Sequence, residues 1–225
     1  AAYVAVMWRI APRIEALWLV LAFPAVLINL GHGQNGFLST ALLGGAMLLL
    51  DRRPLLAGVL IGLLLYKPQL GLLLPVALIA GGRWRTFISA AITSVLFVLG
   101  TMALFGVAVW SDFFAGMPIA SQTLEQGLVG WEKMQSTFAA VRLLGGDVTT
   151  AYAIQTVISV LSAGAVIYAW RAPVGLNLKA AVLVTGGLLA TPFVLDYDLV
   201  LLALPIAWLT LDGLQTGFLA GEKIV

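Results

Sequence analysis

Hydrophobic positions dominate this chain in long runs, and polar positions are confined to the joints between them. The runs fall at about 14–30, 37–50, 54–66, 69–82, 86–109, 149–170, 178–194 and 199–211. A helix rises 1.5 Å per residue, so crossing a hydrocarbon core of ~30 Å takes about 20 residues. Only 86–109 and 149–170 meet that length comfortably. The shorter runs meet their neighbours at Gly31-His32-Gly33-Gln34-Asn35-Gly36, at Tyr66-Lys67-Pro68-Gln69 and at Thr191-Pro192. Short paired helices place such turns below the membrane surface, where they line a cavity instead of facing lipid. The pattern predicts an all-α, multi-span bundle of about eight membrane segments, several of them short or re-entrant.

Composition supports lipid as the solvent. Hydrophobic residues make up 61% of 225 and charged residues 10%, against about 45–50% and 25% in soluble domains. Mean hydropathy is +1.05. The net charge of +2 comes from 12 basic residues scattered along the chain; they form no patch for nucleic acid. With no cysteine, disulfides, thiolate-bound zinc and thiol nucleophiles are excluded.

The basic residues set the orientation. If each run reverses direction and 14–30 starts inside, the inner loops hold Arg9, Arg13, Arg52, Arg53, Arg83, Arg85, Arg171, Lys179 and Lys223. Only Lys67, Lys133 and Arg142 fall outside, so the positive-inside bias puts both ends in the cytoplasm of a multi-pass cell-membrane protein. This requires a break at Lys67-Pro68, because one helix over 54–82 would separate Arg83 and Arg85 from Arg52 and Arg53. The polar joints then share the outer face with an amphipathic connection at about 110–148, which is expected to lie as helical segments at the interface. A single transmembrane domain over 1–225 is expected, with no internal repeat.

Three joints carry candidate chemistry. An ammonium at Lys67 costs about 2.5–3.5 kcal/mol in an apolar segment. It either snorkels to the interface or binds an anionic group such as a phosphate. His32, Gln34 and Asn35 lie among three glycines that let the backbone approach a ligand; the plain alternative is a turn in which Asn35 caps the next helix. His32 is the sole histidine, so a metal site there needs carboxylates. Asp196 and Asp198 flank Tyr197 at the start of the last run, where one carboxylate suits the helix dipole and the other is free to hold Lys67 or accept a sugar hydroxyl. Glu132 and Lys133 read as a solvated loop pair.

Gly33-Gln34-Asn35-Gly36-Phe37, Asp51-Arg52-Arg53-Pro54-Leu55-Leu56-Ala57-Gly58, Tyr66-Lys67-Pro68-Gln69 and Arg83-Trp84-Arg85 form an ordered series that resembles glycosyltransferase family 87 of the GT-C superfamily. Thr191-Pro192 with Asp196-Tyr197-Asp198 is similar to its C-terminal region, and the likeness covers roughly 30–211. The resemblance implies transfer of a sugar, chiefly mannose, from a polyprenyl-phosphate donor to a glycan or glycolipid acceptor on the extracytoplasmic face, with membrane lipids around the enzyme and no cofactor. It casts Lys67, His32, Gln34, Asn35 and Gln69 as substrate-binding, and Asp196 and Asp198 as catalytic candidates. The family's acid–base aspartate is expected in its first outer loop, whereas 31–36 has none. The chain opens at Ala1 without an initiator methionine or signal peptide, so the expectation is that this segment lies upstream of Ala1; the alternative is a departure from the family. A secondary transporter or lipid flippase, and a non-catalytic fragment of a glycosyltransferase, are the competing readings.

Overall fold

The computed structural model describes residues 1–218, and every predicted run folds as helix. In chain order the helices are α1 (Ala2–Ile10), α2 (Ile14–Ala22), α3 (Pro24–Gly31), α4 (Gly36–Leu49), α5 (Pro54–Leu63), α6 (Leu74–Ala80), α7 (Trp84–Phe105) and α8 (Ala108–Gln126). They continue as α9 (Thr137–Leu143), α10 (Val148–Arg171), α11 (Leu176–Ala190) and α12 (Ala203–Thr216). Short 3-10 turns at Leu64–Tyr66, Pro68–Gly71, Trp131–Lys133 and Asp196–Leu202 join some of them.

Among the described residues, three helical stretches are long and apolar enough to cross a membrane: Trp84–Phe105, Val148–Arg171 and Asp196–Thr216. A fourth results if α2 and α3 count as one broken span, bent by 52°. The eight predicted segments therefore divide into three or four of crossing length and several shorter apolar helices. The run 14–30 is thus divided into two helices at Phe23-Pro24. Pro24 bars its predecessor from helical geometry, and Phe23 is accordingly extended, with ψ 125°.

Pairwise packing fixes the direction of most helices. Tyr3 stacks near Phe37 (ring centroids 5.1 Å apart) and Val6 meets Gly44, so α1 and α4 run parallel. Gly36 meets Val200 and Gly44 meets Leu204, which aligns α12 with them. Gly58 sits on Ser89 and Gly62 on Thr93, so α5 and α7 are also parallel. Parallel α5 and α7 require the chain to turn back between them, at Lys67-Pro68. The ion pair between Arg83 and Asp51 (2.7 Å) closes that hairpin at its base. Helices α10 and α11 are antiparallel: Trp170 Nε1 donates to the Lys179 carbonyl (3.0 Å) and Gln155 Nε2 to that of Leu189 (2.9 Å).

Two ends emerge. Arg9, Arg13, Arg52, Arg53, Arg83, Arg85, Arg171 and Lys179 gather at one, as the alternation of runs predicts; α1, however, is parallel to α4 and starts at the opposite end, which corrects the expectation that both chain ends share one side. Lys223, counted with them in the sequence, lies outside the described residues. The joints at 32–36, 67–69 and 191–198 share the other end. Between the ends the core is close-packed by small and branched residues, with Ala46, Ala57, Ala77, Val200 and Leu204 fully buried. The outside is apolar too. Of the 22 residues of α7 only Thr86 and Ala90 are buried, which is costly in water and suits lipid.

The 110–148 connection folds as expected into helical pieces: α8, the turn at Trp131–Lys133, and α9. It has its own core, in which Leu124, Met134 and Phe138 pack with Leu195 against Trp131 and Tyr152. Met134 pairs with Leu195 as an isolated bridge, and the Gln135 N–H donates to the Val194 carbonyl (2.7 Å). The connection is thereby fastened to the segment that carries Asp196 and Asp198. Ser136 and Asp147 cap α9 and α10. The Thr150 N–H that Asp147 accepts at 2.7 Å holds its carboxyl below the usual carboxylate range.

Candidate functional site

Lys67 lies between two 3-10 turns, in a backbone conformation (φ −132°, ψ 71°) that neither turn can continue. Pro68 opens the second turn, where its missing N–H costs nothing. The helix therefore stops inside the bundle and leaves the ammonium there. The Lys67 side chain is 12% exposed, so it does not snorkel to water. Its Nζ donates to Asp198 Oδ1 at 2.7 Å and lies 4.9 Å from the centre of the Tyr197 ring.

Asp198 is 2% exposed at its side chain, and both of its oxygens are engaged. Oδ1 takes Lys67 and Oδ2 accepts the Leu195 N–H at 3.3 Å. Of the two uses open to it in the sequence, holding Lys67 is the one realised. A buried carboxylate paired in this way is poorly placed to accept a proton from a sugar hydroxyl. Asp196 is half-buried, and its Oδ1 accepts the neighbouring Tyr197 N–H at 2.8 Å. It forms no ion pair among the described residues. Asp196 is the carboxylate left available.

The glycine-rich joint reaches the same place from the other side. The His32 ring stands 6.0 Å from Tyr197, and Nδ1 lies 3.0 Å from the Ile28 carbonyl. A carbonyl only accepts, so Nδ1 carries the proton and Nε2 is free for a ligand. Asn35 occupies the N-cap position of α4, but its side chain makes no capping bond, contrary to the plain reading of that turn. Gln34 and Asn35 are exposed and Gln69 is half-buried. No side-chain hydrogen bond engages any of these three among the described residues. Gly36 is required by packing: a Cβ there would collide with Asn29, Val200 and the Tyr197 carbonyl.

Two further polar residues support the site and were not singled out in the sequence. Asn29 is fully buried; its Nδ2 donates to the Tyr197 carbonyl at 3.1 Å and its Oδ1 has no partner. Ser39, also buried, shares a hydrogen bond of 2.7 Å with the Tyr66 hydroxyl. Their signal was present as polar side chains inside apolar runs, Ile28-Asn29-Leu30 and Leu38-Ser39-Thr40. Residues of the connection serve structure instead. Arg142 lies 4.5 Å over the Trp131 ring and donates to the Gly146 carbonyl at 2.7 Å, and Tyr152 donates to Glu125 at 3.1 Å. Glu132 and Lys133 are exposed and are not paired with each other among the described residues.

The site thus combines a pinned cation, an available carboxylate, a histidine nitrogen and three uncommitted amide side chains at one end of the bundle. Such a set can neutralise a phosphate, take a proton and hydrogen-bond hydroxyl groups. In comparison with known proteins, the model of Glycosyltransferase family 87 matches residues 1–192. The match includes His32, Gln34, Asn35, Lys67 and Gln69 and ends just before the turn that carries Asp196 and Asp198. No curated protein and no solved structure matches the chain.

Proposed function

The chain belongs to glycosyltransferase family 87, and from that premise we propose that it moves mannose from a polyprenyl-phosphate donor to a glycan or glycolipid acceptor. The reaction takes place at the polar end of a GT-C-like bundle, facing the extracytoplasmic side of the cell membrane. The observation that carries this reading is the Lys67–Asp198 pair (2.7 Å) beside an unpaired Asp196. Two opposite charges are buried together inside an apolar bundle, at the cost of desolvating both ions.

The acceptor oxygen attacks the anomeric carbon of the donor sugar as the bond from that carbon to the phosphate oxygen breaks. The electron pair leaves with the lipid phosphate, and the hydroxyl proton passes to the Asp196 carboxylate. Lys67 keeps two N–H groups beyond the one given to Asp198 and turns them to the developing phosphate charge. Asp198 is a positioning residue. His32, through Nε2, hydrogen-bonds the phosphate when protonated, while Gln34, Asn35 and Gln69 hold sugar or phosphate oxygens.

The test is transfer of labelled mannose from polyprenyl-phosphate mannose to membrane acceptors by purified protein. Asp196→Asn keeps the local hydrogen bond to Tyr197 and removes the base, so transfer should fall by about 10²–10⁴ with stability unchanged. Undiminished transfer by that variant would overturn the role of Asp196. Failure of the unaltered chain to use any lipid-phosphate sugar would overturn the donor assignment.

A further inference from the structure

Away from the candidate site, at the basic end, α1, α4, α11 and α12 line a half-open cavity of about 560 Å³. Arg9, Arg52 and Asn177 line it, and both arginines are exposed. Leu48, Leu49 and Trp208 supply apolar lining beside them. Neither arginine has an ion pair or side-chain hydrogen bond among the described residues. Two cations over an apolar wall are an unfinished arrangement. Their mutual repulsion calls for an anion, and the wall calls for hydrocarbon.

We propose that this cavity binds one anionic phospholipid of the surrounding leaflet. The headgroup phosphate lies in the planar forks of Arg9 and Arg52, and Asn177 donates to a remaining oxygen. An acyl chain lies along Leu48, Leu49 and Trp208. Basic pockets between membrane helices suit phosphate headgroups on physical grounds, since lipid supplies charge and hydrocarbon together. A free phosphate offers only the first. A second arginine pair at the same end, Arg53 and Arg85, borders a more open hollow with Leu55 and Leu56, and it serves as an internal control.

The experiment incubates the purified full chain with phosphatidylglycerol, phosphatidylcholine or glycerol phosphate, and reads retained lipid by native mass spectrometry and the shift in Tm. One phosphatidylglycerol should be retained, and neither phosphatidylcholine nor glycerol phosphate. Arg9→Gln with Arg52→Gln should weaken retention about tenfold or more, with sugar transfer unaltered. Arg53→Gln with Arg85→Gln, an equal loss of charge, should leave it unchanged. Asn177→Leu keeps both charges and should weaken it by a smaller factor, which preserves the test if the double variant fails to fold. Equal retention of the two lipids, or equal loss in the two arginine variants, would reduce the effect to diffuse surface charge and overturn the site. Glycerol phosphate binding as tightly as phosphatidylglycerol would also overturn it, as an anion site without a lipid.

Discussion

At the scale of single residues, Asp198 decides how Lys67 should respond to substitution. With the donor phosphate as sole partner, Lys67→Met would leave the bundle folded and weaken only donor binding. The 2.7 Å bond to a carboxylate 2% exposed changes that expectation. Lys67→Met strands Asp198 and should destabilise the protein by about 3–5 kcal/mol, whereas Lys67→Met with Asp198→Leu removes both charges and should recover most of it. Thermal unfolding of the two variants in detergent checks this, and equal stability of the single variant and the wild type would mean that the pair does not hold the turn. Lys67 and its partner could be anticipated from the sequence, because charge in an apolar run demands a counter-charge. Asn29 and Ser39 were harder to see, since one amide or hydroxyl in a helix is cheap until its burial is known.

Among the elements, the hairpin of α5 and α6 owes its closeness to α7 to Gly58 and Gly62. A Cβ on Gly58 would come within 2.5 Å of Ser89 Cβ and of the Thr86 carbonyl oxygen. One on Gly62 would meet Thr93 Cβ at 2.5 Å and the Ala90 carbonyl oxygen at 2.7 Å. Backbone atoms do not swing aside, so Gly58→Ala with Gly62→Ala should cost about 1–3 kcal/mol through overpacking. Tm in detergent measures it; an unchanged Tm would show that α7 slides freely. Breaks in helices were unevenly legible. Lys67-Pro68 announced itself because proline and charge coincide there. Phe23-Pro24 sits in uninterrupted apolar sequence, where proline alone is compatible with a first helical turn or a kink, and only packing against α1 and the final turn resolves which.

For the whole molecule, the segregation of charge remains the chief guide to orientation. Single cysteines at the exposed positions Gln34, Gln122 and Leu144 should react with an impermeant maleimide from outside the cell, and cysteines at Arg53, Arg83 and Ala172 should not. Labelling of Arg83→Cys together with Gln34→Cys would contradict the two-ended arrangement. That arrangement was readable because bilayer thickness and basic asymmetry act on the chain regardless of its fold. The fastening of the connection onto Leu195 was not, because it depends on one backbone bridge between distant segments. The Lys67–Asp198 pair also has a history. Its partners are 131 residues apart, so a ribosome adding about 5–20 residues per second delivers the carboxylate roughly 7–26 s after the ammonium. During that interval Lys67 must be kept near water, and a turn that dips in from one surface allows this where a spanning helix would not. The turn that carries Asp198 then locks the ammonium in place, and a nascent chain cut short before that turn is left with an unclaimed cation for quality control to find.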